Sequence, residues 1–207
     1  MRVILPLILT GILFSNSLHA AITIYTDRTA WRNAAGGSQL FYVDFNSYTT
    51  DVAATGPLDV GPFTLTPNGS WYMPLIDSPQ GGFGNTSVGG TSGVTMQALS
   101  GVNLLVSFDN AVGSFGFDLA DGFGGGRMAR ITTSTGDFHD FVAHSGTVGF
   151  IGLVSSSAFS SVSFSSTSNV RPQIDNFEAN AVPEPSAGAL LVLGAGVLAV
   201  IRRRKKD

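Results

Sequence analysis

The feature that most limits what this chain can become is strict two-residue alternation in short runs, each closed off by turn residues. Val102, Leu104, Val106 and Phe108 fall on one face of an extended segment. Phe115, Phe117 and Leu119 fall on one face of the next, opposite Ser114, Gly116 and Asp118. A period of two is the period of a strand with one dry and one wet face. Gly, Asn, Asp and Ser separate these runs, and glycine alone supplies 26 of the 207 residues, which suits many short antiparallel strands. Candidate strands are Ile22–Tyr25, Leu40–Phe45, Phe63–Thr66, Ser70–Ile76, Val94–Leu99, Val102–Phe108, Val112–Leu119, Met128–Thr133, Phe138–Ala143, Val148–Val154, Phe159–Phe164 and Ile174–Phe177. No fixed repeat period occurs, which argues against a propeller or solenoid. The expected fold is all-β, an antiparallel β-sandwich (jelly roll). One short N-terminal helix interrupts the pattern. Thr26 or Asp27 caps it, Trp31 and Ala34/Ala35 share its apolar face, and Gly36-Gly37 stops it.

The two ends differ in kind from the middle. Met1-Arg2 precedes the apolar run Val3–Phe14, the polar stretch Ser15–His19 and the small residues Ala20 and Ala21. That is the order of a secretory signal peptide, so residues 1–21 are expected to be removed after Ala20 or Ala21, following delivery to the Sec translocon. At the other end stand Val182, Pro183, Glu184, Pro185 and Ser186. The uncharged run Ala187–Ile201 follows, and then the basic tail Arg202, Arg203, Arg204, Lys205 and Lys206. As a helix the 15-residue run would reach about 22 Å, short of a bilayer core unless arginines snorkel. The cations favour the cytoplasmic side. The prolines forbid helix before Ser186 and leave an extended segment outside the membrane. A single C-terminal transmembrane helix is therefore expected, with residues 22–181 as the exported β domain and 182–207 as the tail.

The order of a Val-Pro-Glu-Pro-Ser motif, a Gly/Ala/Leu-rich stretch and a terminal Arg/Lys cluster resembles the PEP-CTERM sorting signal. The resemblance covers Val182–Asp207. It implies recognition by an exosortase, a membrane-embedded cysteine transpeptidase-like enzyme, and processing near Pro183–Pro185. It further implies a Gram-negative producer that makes an exopolysaccharide or biofilm matrix, with the protein held in the inner membrane until it is processed to the surface. The opening strand and helix, Val43-Asp44-Phe45, Gly149–Leu153 and Ile174–Phe177 also resemble galactose-binding or lectin-type jelly rolls that accompany such tails.

Charge narrows the function classes. Between Ala21 and Val182 stand five arginines, no lysine and twelve carboxylates, a formal charge of −7. Such a domain lacks the basic footprint of a nucleic-acid binder. The absence of cysteine excludes Cys nucleophiles, Cys-ligated zinc and iron–sulfur clusters.

Candidate chemistry is sparse, and no catalytic set is assigned. Asp44 and Asn46 could meet Asp175, Asn176 and Glu178 if the terminal strands lie side by side, and their oxygens could serve a structural calcium. Jelly rolls of the resembled kind often hold calcium at that position; the same side chains also serve as turn and strand-end caps. Asp137, His139, Asp140 and His144 form the single His/Asp cluster, but alternation turns His139 and Asp140 to opposite faces. The glycine clusters Gly81–Gly84 and Gly122–Gly126 do not open a helix, so they read as loops. Trp71 and Tyr72, beside the Asn68-Gly69 turn, are candidates for stacking on a sugar, although alternation sends one of them inward. The leading expectation is a non-enzymatic polysaccharide-binding or structural matrix module. The alternatives are a secreted hydrolase using Asp118, Asp121, Asp140 or His144, and a plain single-pass anchored protein.

Overall fold

Two long strands, carrying the strongest alternation in the sequence, run through both layers of the domain and tie them together. In the computed structural model these are β8 (Asn103–Asp121) and β11 (Gly149–Ser166). The structure describes residues 21–36, 38–53, 55–69, 74–78, 93–95, 103–121, 127–143, 149–166 and 172–181. The remaining elements are β1 (Ile22–Tyr25), α1 (Arg28–Ala35), β2 (Gln39–Val43), β3 (Val52–Ala53), β4 (Leu58–Asp59), β5 (Phe63–Asn68), β6 (Pro74–Asp77), β7 (Gly93–Thr95), β9 (Arg127–Thr133), β10 (Phe138–Ala143) and β12 (Pro172–Asn180).

Among the described residues all strand pairs are antiparallel. The first half of β8 pairs with β5 and with the second half of β11, which pairs with β9, and β9 with β10. The second half of β8 pairs with β12 and with the first half of β11, which pairs with β1. Beyond β12 lie β2 and β7 end to end, and β7 leads on to β6 and β3. The result is an antiparallel β-sandwich. One layer is β1, β11, β8, β12 and β2/β7; the other is β10, β9, β11, β8, β5 and β4. Passage between layers requires the two shared strands to bend. In β11 the bend is a bulged corner, where residues 155–158 stand between Val154, paired with Ser114, and Phe159, paired with Val112.

Alternation decides what is buried. Leu104, Val106, Phe108, Phe115, Phe117 and Leu119 of β8 all point inward, as do Val162 and Phe164 of β11, whose intervening serines face out. Phenylalanines make the contact between layers: Phe117 meets Phe164 edge-on at 5.1 Å, and Phe177 lies 5.4 Å from Phe63. Runs separated in the sequence reading by Asp109-Asn110 and by Ser155–Ala158 prove continuous. The Asp109 N–H donates to Pro62 O at 3.1 Å, so a segment that looks like a turn is held in the sheet. The two-residue strands β3 and β4 carry too little pattern to be found from sequence.

Helix α1 matches its expected signals. Asp27 is the N-cap and accepts from the Ala30 N–H at 2.7 Å, and Gly36 ends the helix in the left-handed region at φ 63°. Trp31 and Ala35 are buried; Ala34 is exposed, a correction to the expected apolar face. Eight residues cannot hold a helix alone, so it persists through what Trp31 packs against. Gly116 and Gly152 are register partners on the outer face of the first layer and form a flat slot for the indole. A Cβ at Gly152 would lie 2.5 Å from the ring, and one at Gly116 3.3 Å. Indole Nε1 donates to Leu153 O at 3.1 Å. Among the described residues no helix is long and apolar enough to cross a membrane. The expected span Ala187–Ile201, residues 1–20 of the signal peptide, Val182–Ser186, Arg202–Lys206, Trp71 and Tyr72 lie outside the described residues.

Candidate functional site

Among the described residues polar groups gather at several places, two of which involve the candidate residues. The first surrounds the bulge in β12. Asp175 pairs with Asp118 and Glu178 with Gly116, so Asn176 and Phe177 face the single intervening residue Phe117. Asn176 takes the left-handed conformation at φ 54°, which suits an asparagine. This extra residue re-aims the chain: Phe177 stays in the core while Glu178, also buried, lies on the opposite face of the sheet toward α1.

Helix α1 lies over that face. Arg28 pairs with Asp118 at 2.8 Å and with Glu178 at 2.9 Å, its guanidinium 4.5 Å above the Phe150 ring. Arg32, one helical turn on, grips both oxygens of Glu178, at 2.9 and 2.8 Å. Those bonds raise the Arg32 pKa above its ordinary value, with burial opposing them. Tyr42 of β2 donates to Asn176 Oδ1 at 2.6 Å, and Asn176 Nδ2 donates to Asp118 Oδ2 at 2.8 Å. Burial of the hydroxyl pushes the Tyr42 phenol up; Asp175, Asp44 and Asp118 add to the shift and Arg28 opposes it. Chemically this network is a clamp that pins α1 to the sheet. Arg28 and Arg32 escaped the sequence reading, although their spacing of four on a capped helix, in a domain rich in carboxylates, was a usable signal.

Pairing of β2 with β12 does bring the terminal strands side by side, with Val43 opposite Phe177. Of the calcium candidates, Asp44 Oδ1 accepts from the Asn46 N–H at 3.1 Å, and Asp175 Oδ1 accepts from the Asn176 N–H at 2.7 Å. Asn176 spends both ends of its amide on Tyr42 and Asp118. Among the described residues no group of three or more His, Cys, Asp or Glu side chains is placed to hold a metal.

The second place is a cleft of about 390 Å³ at an open side of the sandwich, between the edge strand β10 and the start of β11. Thr26, His139, Asp140, Phe141 and Phe150 line it, along with aliphatic groups. Four consecutive residues of β10, His139 to Val142, line it, so the strand itself forms one wall and residues from both of its faces contribute. Asp140 is paired with Arg130, at 2.6 and 2.8 Å, which holds its carboxyl below the usual range. The same guanidinium stacks 4.1 Å over Phe138, an exposed ring beside the cleft. Of the carboxylates considered for hydrolysis, Asp118 is held by Arg28 and Asn176 on the first layer, whereas Asp140 is held by Arg130 on the second. Asp118 is not among the cleft's lining residues. The side chain of Asp121 and the whole of His144 lie outside the described residues.

With this geometry in hand, the chain is an antiparallel β-sandwich protein carrying a C-terminal sorting signal. The PEP-CTERM protein-sorting motif matches residues 181–205. Similar solved structures include the CBM22-1 xylan-binding domain from Paenibacillus barcinonensis, at 13% identity and TM-score 0.40, covering 71% of this chain and 96% of that one. A second is the CBM22-1–GH10 xylanase from Clostridium thermocellum, at 11% identity and TM-score 0.39, covering 70% of this chain and 29% of that one. A variant of the CBM29-2 carbohydrate-binding module is similar at 10% identity and TM-score 0.34, covering 71% and 97%. No curated protein matches the sequence.

Proposed function

We propose that this protein is exported through the Sec translocon, held in the inner membrane by its tail, and processed by an exosortase to the surface or extracellular matrix of a Gram-negative cell. There its β domain serves as a non-enzymatic polysaccharide-binding module. The sorting motif at residues 181–205 carries the reading. The cleft beside β10 supports the binding half. Its volume lies in the range of small-ligand sites; Phe141 and Phe150, both largely buried, contribute apolar lining, Thr26, His139 and Asp140 contribute polar groups, and the exposed Phe138 ring belongs to the same strand. An aromatic face for the ring carbons and a carboxylate or imidazole for the hydroxyls are what a sugar requires. A formal charge of −7 on the domain favours a neutral or cationic glycan over an anionic one. A structural calcium at Asp44 and Asp175 belongs to the same proposal, with Asn46 and Asn176 as the neighbouring amides.

Retention of the protein on the producer's own exopolysaccharide tests the binding half, measured with calcium and with chelator. His139→Ala with Asp140→Ala is expected to weaken retention roughly tenfold, the worth of one or two lost charge-assisted hydrogen bonds. Wild-type retention no better than that of an unrelated acidic protein would end this reading, and release of reducing ends would favour the hydrolase. A melting temperature unchanged by chelator would remove the calcium.

A further inference from the structure

The fold brings both ends of the β domain to one edge of the first layer. β12 runs to Asn180, which is paired on both sides, with Gln39 of β2 and Ser114 of β8. The next residue, Ala181, donates its N–H to Ser38 O at 2.9 Å. Val154 of β11 is the partner of Ser114, and Thr23 of β1 is the partner of Val154. Thr23, Val154, Ser114, Asn180 and Gln39 therefore form one row across five strands. β1 begins and β12 ends at the same side of it. Ala21 O accepts from the Ser156 N–H at 3.4 Å, so the first described residue is also bound to this edge. Three strand spacings, about 14 Å, separate β1 from β12.

Covalent geometry then restricts what can happen beyond Ala181. Pro183 lies two residues on and can stand no more than about 7 Å away; Ala187, where the uncharged run begins, can stand no more than about 21 Å away. A domain of this length has a radius of gyration of about 15 Å, and turning its opposite face to the membrane would require chain on the order of 60 Å. While the tail is in the bilayer, only the edge from which β12 emerges can face it. Thr23, Gln39, Ser156, Ser157, Ala158 and Ala181 reach solvent at this edge and carry no charge, in a domain of formal charge −7; the exposed Asp109 lies farther along β8, beyond Val112. An acidic domain approaches an anionic membrane surface at least cost through such a face.

We infer that this edge, with the β11 corner Ser155–Ala158 projecting from it, is the surface against which the membrane-embedded processing enzyme seats while it acts on the motif. The inference rests on the sorting reading above. It follows that processing depends on the edge because the linker is too short to let the enzyme work at a distance.

The test uses the full chain in producer cells and follows the conversion of long to short form after a pulse. Ser156→Glu with Ser157→Glu is expected to slow conversion roughly tenfold, and a Gly/Ser insert of about twelve residues between Ala181 and Val182 is expected to restore it. Ser47→Glu, in the turn beyond the far end of β2, is expected to convert as wild type, which separates the edge effect from added charge. Normal conversion of the edge variant would overturn the inference, as would slow conversion that the insert does not relieve. Failure of wild type itself to shorten would overturn the sorting reading and this inference together.

Discussion

Deleting Pro183–Pro185 is expected to leave the chain at full length and in the inner membrane, with the basic tail still attached. The two prolines each lack a backbone N–H, so neither can donate to a neighbouring strand as a continuation of β12. A processing enzyme requires its cut segment unpaired, and the Pro-Glu-Pro sequence supplies that chemistry. The deletion removes that segment and joins Val182 directly to Ser186. What remains is a short apolar run with five cations behind it, an ordinary anchor. The β domain is expected to fold normally, because its last core residues, Phe177 and Ala179, precede the deletion. Membrane fractionation and the apparent mass of the chain, in cells with and without the exosortase, read the result. A deletion variant that is still shortened and still released would show that the cut does not depend on this motif.

The second large effect is on stability. Trp31→Ala is expected to cost the domain about 3–5 kcal/mol, the usual range for emptying a buried aromatic site. In a domain of this size that lowers the melting temperature by roughly 10 °C. The indole is fully buried, lies across Gly116 and Gly152, and stands 5.5 Å from Phe150. Without it the eight-residue helix has only the Arg28 and Arg32 clamp to hold it, and those ion pairs are partly solvated. Gly152→Ala is expected to destabilise by a different route to the same end, since a methyl group there meets a rigid ring that cannot yield. In the Trp31→Ala background the only close neighbour left to the same methyl is the Phe150 ring, at 2.8 Å, which can shift into the vacated slot, so the substitution is expected to cost less than in wild type. A double-mutant cycle by thermal or urea denaturation reads that coupling. Additive costs would mean that the indole does not occupy the slot in solution.

Much of the fold was legible because its determinants are local. Asp27, Trp31 and Gly36 mark the helix within ten residues, and alternation from Leu104 to Leu119 names the buried face of β8 correctly. What escaped depends on partners far away in the chain. Asp109-Asn110 has turn composition, yet β5 pairs beside it and keeps it extended. Gly116 and Gly152 read as ordinary strand glycines until register places them side by side beneath a tryptophan more than 80 residues from either. The clamp of Arg28 and Arg32 on Glu178 spans about 150 positions and exists only because β12 returns to lie against β8. The cleft escaped for a related reason. Alternation separates His139 from Asp140, and only the fold shows that β10 itself, with residues of both its faces, walls the hollow. The sorting signal, by contrast, is contiguous, so sequence alone exposes all three of its parts.

The central claim is that the tail is an address removed after use. Intact-mass measurement of the protein recovered from the surface or matrix of producing cells tests it most directly. A C-terminus ending within Val182–Ser186, with Arg202–Lys206 gone, is the predicted result. A mature protein that keeps those five cations would contradict it.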